Sequence, residues 1–526
     1  MIRISNIKIG IFENIDIKSA CAKKIGVSYD DILSYNIFRR SLDARKKDNI
    51  HYVYVVDVNV KNEKRININR NKDLSLAPDM EYKFPKGECK IDKRPVVIGF
   101  GPAGMFSALL LAQMGLKPIV IERGQDVDKR TEAVNKFWKE GKLDKECNVQ
   151  FGEGGAGTFS DGKLTTRIKD LRCRKVLQEL ERFGAPSEIM YEQKPHIGTD
   201  ILKTVVKNLR NSIIELGGEI HFGRKVVDFL SENGSLTGVV LENGDIIECS
   251  DAVLSIGHSA RDTFEKIYEK GIEMEQKPFA MGVRIEHPQS MIDFSQYGNA
   301  YKKLPTADYR LTYTTKKGRG VYTFCMCPGG TVVASSSESG MVVTNGMSEY
   351  ARDKENANSA LLVQIYPEDF GSDHTLAGMH MQRELEKKAF IYGGENYSAP
   401  VQTVGSFIKG YEDKEFGEVK NSYKPDVKFV NLENVLPEFI VEAMREALPE
   451  MGKRLKGFDR DDALMTAVET RSSSPVRILR DRETYESVNL KGLYPCGEGA
   501  GYAGGIVSAS VDGIIVAEKI FNKYVE

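Results

Sequence analysis

Cysteine is scarce in this sequence, which has eight in 526 residues. That number is too low for a disulfide scaffold. Only Cys325 and Cys327 lie close together, and one such pair cannot complete a tetrahedral zinc site. We therefore expect neither a disulfide-stapled fold nor a bound metal.

Long apolar runs are also missing. No stretch of about eighteen apolar residues occurs, and residues 1–18 lack an apolar signal core, so we expect a cytoplasmic protein without a membrane partner. The charges nearly cancel, with 74 Lys and Arg against 75 Asp and Glu. This balance argues against binding to nucleic acid or to a membrane surface. At 41% hydrophobic residues, the chain can form about three domains with ample core.

The strongest motif lies in residues 95–124, PVVIGFGPAGMFSALLLAQMGLKPIVIERG. Residues 96–98 predict a buried strand, and the triplet that follows opens a helix that is apolar on every face. Gly99 makes the tight turn, Gly101 lets the main chain approach a pyrophosphate, and Gly104 lets the helix pack on the strand. The pattern predicts a dinucleotide-binding βαβ unit; the alternative is a structural glycine turn. Its expected cofactor contacts are Gly99, Gly101, Pro102, Ala103 and Gly104.

Glu122 occupies the acidic position that ends the second strand of this unit. A carboxylate there accepts hydrogen bonds from ribose hydroxyls and repels a 2′-phosphate. We therefore expect Glu122 and the adjacent Arg123 to contact the cofactor.

Residues 492–517 predict a second glycine-rich junction between a strand and a helix. A nicotinamide-only domain does not need it, whereas a flavin needs an acceptor for its ribityl hydroxyls and donors at its electron-rich pyrimidine edge. We predict non-covalent FAD, with NAD(P)H as a transient reductant that has no domain of its own. The expected contacts are Gly497, Glu498, Gly504, Gly505 and Ile506.

Residues 149–167 repeat the glycine triplet without its context, because no apolar strand precedes it and no buried helix follows. We interpret them as a flexible loop that folds over the cofactor; the alternative is a glycine-rich surface loop. Lys163 is the catalytic candidate, since a fixed cation stabilises the negative charge of a reduced flavin, although a solvated lysine is the alternative. The expected cofactor contacts are Gly155, Gly157 and Thr158, and Ser160 is a substrate candidate.

Residues 1–90 are predicted to form a ferredoxin-like α/β module and a linker. The expected strands are 2–11, 37–44 and 51–60, the expected helix is 18–25, and the polar stretch 61–94 is the linker. A basic cluster either binds an acidic protein partner or is a solvated strand face. The cluster consists of Arg39, Arg40, Arg45, Lys46 and Lys47.

The rest of the chain predicts an α/β fold in two parts. These are a Rossmann-type FAD-binding domain at residues 91–275 and 421–526, and an inserted mixed β substrate domain at residues 276–420. Further expected elements are a helix at 199–216 capped by Thr199, strands at 219–227 and 252–256, a hairpin turn at Asn243-Gly244, and a helix at 436–455 interrupted at Pro449.

Three kinds of side chain in the second half of the chain could have either a structural or a functional role. Cys325 and Cys327 should share one strand face, as buried small hydrophobes or as a redox pair. Arg471 precedes three serines and is a candidate anion binder for the substrate. Three histidines without ligand spacing are expected to be structural, namely His287, His374 and His380.

Taken together with KPHIGTD (194–200), FCMCPGG (324–330), VETRSSSPVRI (468–478) and GEGAGYAGGI (497–506), these motifs resemble one family. It comprises the uncharacterised bacterial FAD-dependent, or NAD(FAD)-utilising, dehydrogenases, within the fumarate-reductase-like and glutathione-reductase-like flavoprotein superfamily. The resemblance implies FAD binding and oxidoreductase activity without an assigned substrate. In the superfamily the strand matching residues 226–227 meets the adenine, and the strand ending at Gly257 closes the FAD sheet, which implies contacts from Val227 and Gly257.

The sequence therefore predicts an FAD-dependent oxidoreductase that acts on an unidentified small molecule. The alternative is a non-catalytic flavin-binding redox sensor whose N-terminal module signals to a protein partner. A flavin-dependent RNA-modifying enzyme is disfavoured by the charge balance.

Overall fold

The computed structural model describes residues 1–525, which form a mixed α/β protein. The helices are α1 (Ile17–Ile25), α2 (Pro102–Gln113), α3 (Val127–Glu140), α4 (Arg172–Arg182), α5 (Thr199–Glu215), α6 (Arg261–Glu269), α7 (Gln289–Tyr297), α8 (Ala377–Gly393), α9 (Val404–Lys409), α10 (Glu438–Arg454) and α11 (Ile506–Lys523). The strands are β1 (Ile2–Gly10), β2 (Ile32–Asp43), β3 (His51–Val60), β4 (Leu74–Leu76), β5 (Val96–Ile98), β6 (Ile119–Glu122), β7 (Glu219–Phe222), β8 (Val226–Glu232), β9 (Ser235–Leu241), β10 (Ile246–Glu248), β11 (Ala252–Leu254), β12 (Met274–Gln276), β13 (Phe279–Pro288), β14 (Thr312–Thr314), β15 (Gly320–Cys327), β16 (Thr331–Ala334), β17 (Thr344–Met347), β18 (Asn356–Ile365), β19 (Ala399–Thr403), β20 (Val427–Phe429), β21 (Leu464–Glu469), β22 (Val476–Ile478) and β23 (Leu493–Pro495). Within residues 1–525, no helix combines the length and the apolar character that crossing a membrane requires.

A five-stranded parallel sheet in the order β23-β11-β5-β6-β7 contains the first glycine motif. The central strand β5 is fully buried, and α2 buries ten of its twelve residues because it packs between this sheet and α11. The chain adds strands on one side of β5 and then on the other, so the strand order reverses between β5 and β11. Open parallel sheets bind ligands at the carboxyl ends of the strands beside such a reversal.

The N-terminal sheet has the order β2-β3-β1-β4, and all its pairs are antiparallel. α1 packs against one of its faces, where Ile2, Ile4, Val56 and Val58 are buried. The stretch expected to be only a linker supplies β4, because its leucines pair with Ile4 and Ile2 of β1. The prediction of a plain linker over residues 61–94 is therefore wrong in this part.

A seven-stranded sheet in the order β14-β15-β18-β13-β21-β19-β20 follows in the chain. Two of its strands, β20 and β21, lie beyond residue 420, where we expected the FAD-binding part to resume. β21 pairs with both β13 and β19, so the sheet cannot end before Glu469. The sheet therefore extends about fifty residues past the expected boundary.

Three local predictions also differ from the structure. The strand expected at 219–227 is two strands in different sheets, because Gly223 turns the chain at φ +64°. Thr199 is the first helical residue of α5 and Gly198 is the cap; the Thr199 hydroxyl donates to the Thr158 carbonyl at 2.6 Å. α10 continues through Pro449, which costs a backbone hydrogen bond but leaves the buried residues on both sides in the core.

Candidate functional site

A cavity of about 2230 Å³ opens where β5 and β11 end and extends to the seven-stranded sheet and the N-terminal sheet. Ligand pockets usually measure about 300–1,000 Å³, so this cavity has room for more than one ligand. Most of the predicted site residues line it. They are Gly99, Gly101, Pro102, Ala103, Glu122, Arg123, Gly155, Gly157, Ser160, Lys163, Gly257, Arg471, Glu498, Gly504, Gly505 and Ile506.

The three glycines of the first motif have different surroundings. A Cβ on Gly104 would lie 2.0 Å from the Gly99 carbonyl oxygen, and one on Gly99 would lie 2.5 Å from the Ser255 carbonyl oxygen. A Cβ on Gly101 would project into the cavity, where its nearest neighbour is the Gly155 Cα at 3.7 Å. Gly99 and Gly104 therefore allow close packing, whereas Gly101 keeps a cradle open.

Two helices begin at this cradle. α2 starts after Gly101 and α11 after Gly505, and neither glycine can supply a side chain to cap the first turn. Both sets of terminal N–H groups, with the positive ends of the helix dipoles, are thus available to an anionic ligand. The cradle and the two uncapped helices fit a dinucleotide whose diphosphate lies at α2 and whose second half reaches α11.

Glu122 lines the cavity but also joins three segments of the chain. Its carboxylate accepts hydrogen bonds from the backbone N–H groups of Phe100 at 2.7 Å, Gly124 at 2.9 Å and Gly152 at 2.9 Å. Oε2 accepts only one of these bonds and keeps capacity for another. Glu122 therefore fixes the first glycine turn against the glycine-rich segment at residues 149–167. Its contact with the ribose stays a prediction.

The segment at residues 147–164 is packed against the protein. Arg130 of α3 is fully buried and donates to the carbonyl oxygens of Asn148 and Val149 at 2.9 Å and of Glu153 at 2.6 Å. The residues that follow form a 3₁₀ turn, Gly155–Phe159, which packs on Gly101. This turn brings Gly155 and Gly157 to the cavity at the start of α2.

Lys163 lies farther along the same segment, in the wall of the cavity. Its Nζ is 3.6 Å from Asp161 Oδ2, but Asp161 already binds Arg352 through both carboxylate oxygens, at 2.9 and 2.5 Å. The Lys163 charge is therefore only partly neutralised. Ser160 also lines the cavity, although its hydroxyl donates to the Gly157 carbonyl at 2.7 Å.

Glu498 faces a polar corner of the cavity with His258 and Lys277. Glu498 Oε1 and His258 Nε2 are 3.8 Å apart. Burial raises the pKa of Glu498 to about 7, with Lys277 acting in the opposite direction, and burial together with nearby Arg471 lowers the pKa of His258 to about 3. Near neutral pH the imidazole is uncharged and the carboxyl group titrates, so this corner can accept or release a proton.

Cys325 and Cys327 do not share one strand face, contrary to our expectation. A β-bulge between Phe324 and Cys327 interrupts the alternation, and Cys325 has a φ of +41°. Both cysteines line the cavity, but Cys325 is exposed there whereas Cys327 is buried. Although Cys325 reaches the cavity, the surrounding protein desolvates both thiols. Desolvation raises the pKa of Cys325 to about 12 and also raises that of Cys327, so both are protonated thiols at neutral pH.

Arg471 lines the cavity but is committed to an internal ion pair. Its guanidinium donates to Glu386 at 2.8 and 3.1 Å, and Arg261 donates to the same carboxylate at 2.7 and 2.8 Å. The predicted anion binder is therefore already paired with a carboxylate of α8, which it shares with Arg261.

Four predicted contacts do not line the cavity. Gly104 acts in packing, and Thr158 donates to the Glu153 carbonyl at 3.1 Å. Gly497 lies just behind Glu498, where its N–H donates to Asp512 at 2.7 Å, and the wall at β8 is formed by Val226 in place of the predicted Val227. His287, His374 and His380 lie outside the cavity wall as well.

Several residues of the wall were missed by sequence reasoning, notably His196, His258, Lys277 and Arg352. His258 directly follows Gly257 at the carboxyl end of β11, so its position relative to the sheet was a usable signal. His196 lies in the KPHIGTD stretch, to which we assigned no role, and Lys277 and Arg352 lie in segments without a recognisable motif. Within residues 1–525, no group of three or more His, Cys, Asp or Glu side chains is arranged to hold a metal ion.

Comparisons with known proteins bear on the family and on the cofactor. Residues 278–472 match the family model "FAD-dependent protein, C-terminal domain-like", and residues 1–59 match a domain of unknown function, DUF8436. An uncharacterized protein of Clostridium beijerinckii is 53% identical over 531 residues, which cover 99% of each chain.

Solved structures resemble the chain only distantly. The flavin-dependent brominase Bmp2 is 12% identical, with a TM-score of 0.38 over 82% of this chain and 80% of that one. A halogenase PltM variant in complex with FAD is 9% identical, with a TM-score of 0.41 over 82% of this chain and 70% of that one. Both TM-scores are below 0.5, and neither likeness supports a statement on function. The cofactor follows from the family model and from the fit of the cradle: it is FAD.

Proposed function

The chain belongs to the same protein family as the uncharacterized protein of Clostridium beijerinckii, and from this premise we propose that it is an FAD-dependent oxidoreductase acting on a small-molecule substrate. One observation carries the proposal. The cavity that begins at the Gly101 cradle continues to side chains of the seven-stranded sheet, including Cys325 and Glu469, which a dinucleotide alone does not require. A protein that binds a cofactor but no substrate does not need the part of the cavity beside the seven-stranded sheet.

We assign three parts to the protein. The parallel sheet and its helices form a Rossmann-type FAD-binding domain, the seven-stranded sheet belongs to an inserted substrate domain, and residues 1–90 form a ferredoxin-like module. The strand orders of the three sheets support this division. Scarce cysteine supports a cytoplasmic location, where thiols remain reduced.

Each part of the site has a task in this proposal. Gly101 and the start of α2 would hold the diphosphate, Glu122 would hold the ribose, and Gly505 with the start of α11 would hold the flavin half of the cofactor. FAD, when bound, supplies the hydride chemistry. Glu498 and His258 hold or move a proton beside it, and the wall at Lys163 and Arg352 orients the substrate.

Turnover distinguishes an oxidoreductase from a flavin-binding sensor. We expect the purified yellow protein to oxidise NADH or NADPH continuously when ferricyanide is present, measured as absorbance at 340 nm under anaerobic conditions. A protein without FAD, prepared from the same batch, is the control. A photoreduced flavin that reoxidises only sluggishly with every acceptor would instead support the sensor.

Lys163→Met is expected to lower the flavin reduction potential. A cation near the ring stabilises the negative charge of the reduced state, so its loss favours the oxidised state. A tenfold change in the two-electron equilibrium corresponds to about 30 mV, and equilibration with a reference dye measures it. Lys169→Met is a matched control, because Lys169 is an exposed lysine that follows Lys163 closely in the chain but lies outside the cavity wall. If Lys163→Met matches the parent in potential and reoxidation rate, Lys163 is not beside the flavin.

A further inference from the structure

The helix-free face of the N-terminal sheet covers part of the cavity. Lys8 lies on β1 between two residues that are buried against α1, so its side chain is on the opposite face. Its cross-strand partner on β3 is Val53, whose partner on β2 is Ser41, and all three line the cavity. A row across three strands therefore forms a roof over the cavity.

Contacts along the outer edge of β2 hold this roof in place. The Arg40 N–H donates to the Tyr191 carbonyl at 2.7 Å, and the Gln193 N–H donates to the Arg40 carbonyl at 2.9 Å. The Arg40 side chain also forms an ion pair with Glu192. The segment at 191–193 thus extends the N-terminal sheet and joins it to the rest of the protein.

We call the space beneath this roof the second chamber. It is the part of the cavity lined by the N-terminal sheet and by residues of the segments 160–168, 186–196, 296–312, 322–327 and 345–352. Eight Lys and Arg side chains line it against five Asp and Glu, although the whole chain has a net charge of −1. The cations are Lys8, Arg40, Arg45, Lys163, Arg167, Lys194, Arg310 and Arg352, and the carboxylates are Asp43, Asp161, Glu188, Glu192 and Asp308.

The cations divide into paired and unpaired groups. Arg40, Arg45, Lys194 and Arg352 each have a carboxylate within ion-pair distance, and Lys163 shares the carboxylate of Arg352. The remaining three come from three separate parts of the chain and have no ion pair or hydrogen bond from their side chains to any described residue. They are Lys8, Arg167 and Arg310.

Aromatic side chains form another part of the chamber wall. The rings of His196 and Tyr350 stack with their centroids 5.2 Å apart and an interplanar angle of 22°. Burial, reinforced by Arg352, lowers the pKa of His196, so at neutral pH the imidazole adds no charge. Phe324 and Tyr297 also face the chamber.

From this arrangement we propose that the second chamber binds an organic anion carrying at least two negative charges. Unpaired cations that line one cavity attract anions and raise their local concentration. The inference deepens the proposed function, since it names the charge of the molecule that exchanges electrons with FAD. It also gives the N-terminal module a role in ligand binding, in place of partner recognition.

Two anionic probes distinguish the sources of such a ligand. NADPH represents a nicotinamide dinucleotide, and benzene-1,2,4-tricarboxylate represents an aromatic polycarboxylate, with benzamide as a neutral ring of similar size. Binding to the FAD-loaded protein is measured by calorimetry and by perturbation of the flavin absorbance. We expect at least one anionic probe to bind, more tightly at low ionic strength, and benzamide not to bind.

The variant Arg167→Gln/Arg310→Gln is expected to weaken that binding by about 2- to 30-fold, given the usual strength of exposed charge pairs. Lys8→Gln, on the roof, should weaken it by up to about 5-fold. Arg482→Gln is the matched control, because Arg482 is an exposed arginine outside the cavity wall. The FAD content should remain at the parental level in all variants.

Three results would overturn the inference: neither anionic probe binds the parent, the double variant binds both probes as tightly as the parent, or the double variant loses FAD. The last result would place these cations in the dinucleotide groove. If the protein shows no turnover but the variants still weaken binding of the anion, the inference is upheld and the proposed function is refuted. The two failures are therefore distinguishable.

Discussion

We expect Gly101→Val to give a folded, colourless protein. The φ of Gly101 is −81°, which valine can adopt, and a Cβ there meets no atom closer than 3.7 Å. The added side chain would instead occupy the space that the diphosphate needs at the start of α2. FAD content, measured as the ratio of absorbance at 450 and 280 nm and by chromatography of the released flavin, should fall to background.

Two other substitutions show whether this loss arises from the cradle. Gly101→Ala adds less volume and should retain part of the FAD. Gly104→Val should prevent folding, because its Cβ would lie 2.0 Å from the Gly99 carbonyl oxygen and the backbone would have to move. A Gly101→Val protein with the FAD content of the parent would place the diphosphate elsewhere and remove the main support for the assigned groove.

The elements around Gly101 could be predicted because their causes are local. A short apolar run, three glycines with fixed spacing and an apolar helix specify β5 and α2 without any distant contact. The Asn243-Gly244 turn is equally local, and Gly244 has the φ of +88° that such hairpins require.

Sheet membership could not be predicted in the same way. β21 lies between β13 and β19 although many residues separate the three strands in the chain. Its apolar sequence fits a buried strand of either large sheet, and only the tertiary contacts decide which one. The expected boundary at residue 420 failed for this reason.

The charges in the cavity were the least predictable part. Lys163 was found from its place after a glycine-rich turn, but its neighbour Asp161 is paired with Arg352, which lies 191 positions away. The bulge at Cys325 left no local trace either, since a single extra residue in a strand reverses the face of every side chain that follows. Whether a cation is free or neutralised therefore depends on tertiary contacts, which the spacing of residues in the sequence does not reveal.

The second large effect concerns Glu386, which connects two parts of the protein. This fully buried carboxylate of α8 accepts hydrogen bonds from Arg261 of α6, beside the parallel sheet, and from Arg471, which follows β21. The Thr470 hydroxyl donates to it as well, at 2.6 Å. Glu338 also pairs with Arg261 at 2.6 Å but is partly exposed.

We expect Glu386→Gln to destabilise the protein by about 3–5 kcal/mol, the usual cost of removing one charge from a buried pair. The amide removes the buried carboxylate that both guanidinium groups share and leaves them only the partly exposed Glu338 as a counter-ion. It also places N–H donors against N–H donors. The effect is measured by urea denaturation, as a lower midpoint of the transition in which the two parts joined by Glu386 come apart. Glu384→Gln is the matched control, because Glu384 is exposed on the same helix and should shift stability by less than about 0.5 kcal/mol.

The difference in stability between Glu386→Gln and the parent, measured by their urea midpoints, should also depend on pH. Burial alone would raise the pKa of Glu386, but Arg261 and Arg471 outweigh it and hold that pKa well below its usual range. A carboxyl group whose pKa is depressed in the folded state contributes all of its stabilising free energy at a pH above its unfolded pKa, about 4.3. This contribution is lost as the pH falls towards the folded-state pKa. The two urea midpoints should therefore differ by a constant amount from pH 7 to pH 5 and converge below about pH 4. A difference that stays constant in acid would mean that the glutamine disturbs packing and that the charge of Glu386 does not stabilise the junction.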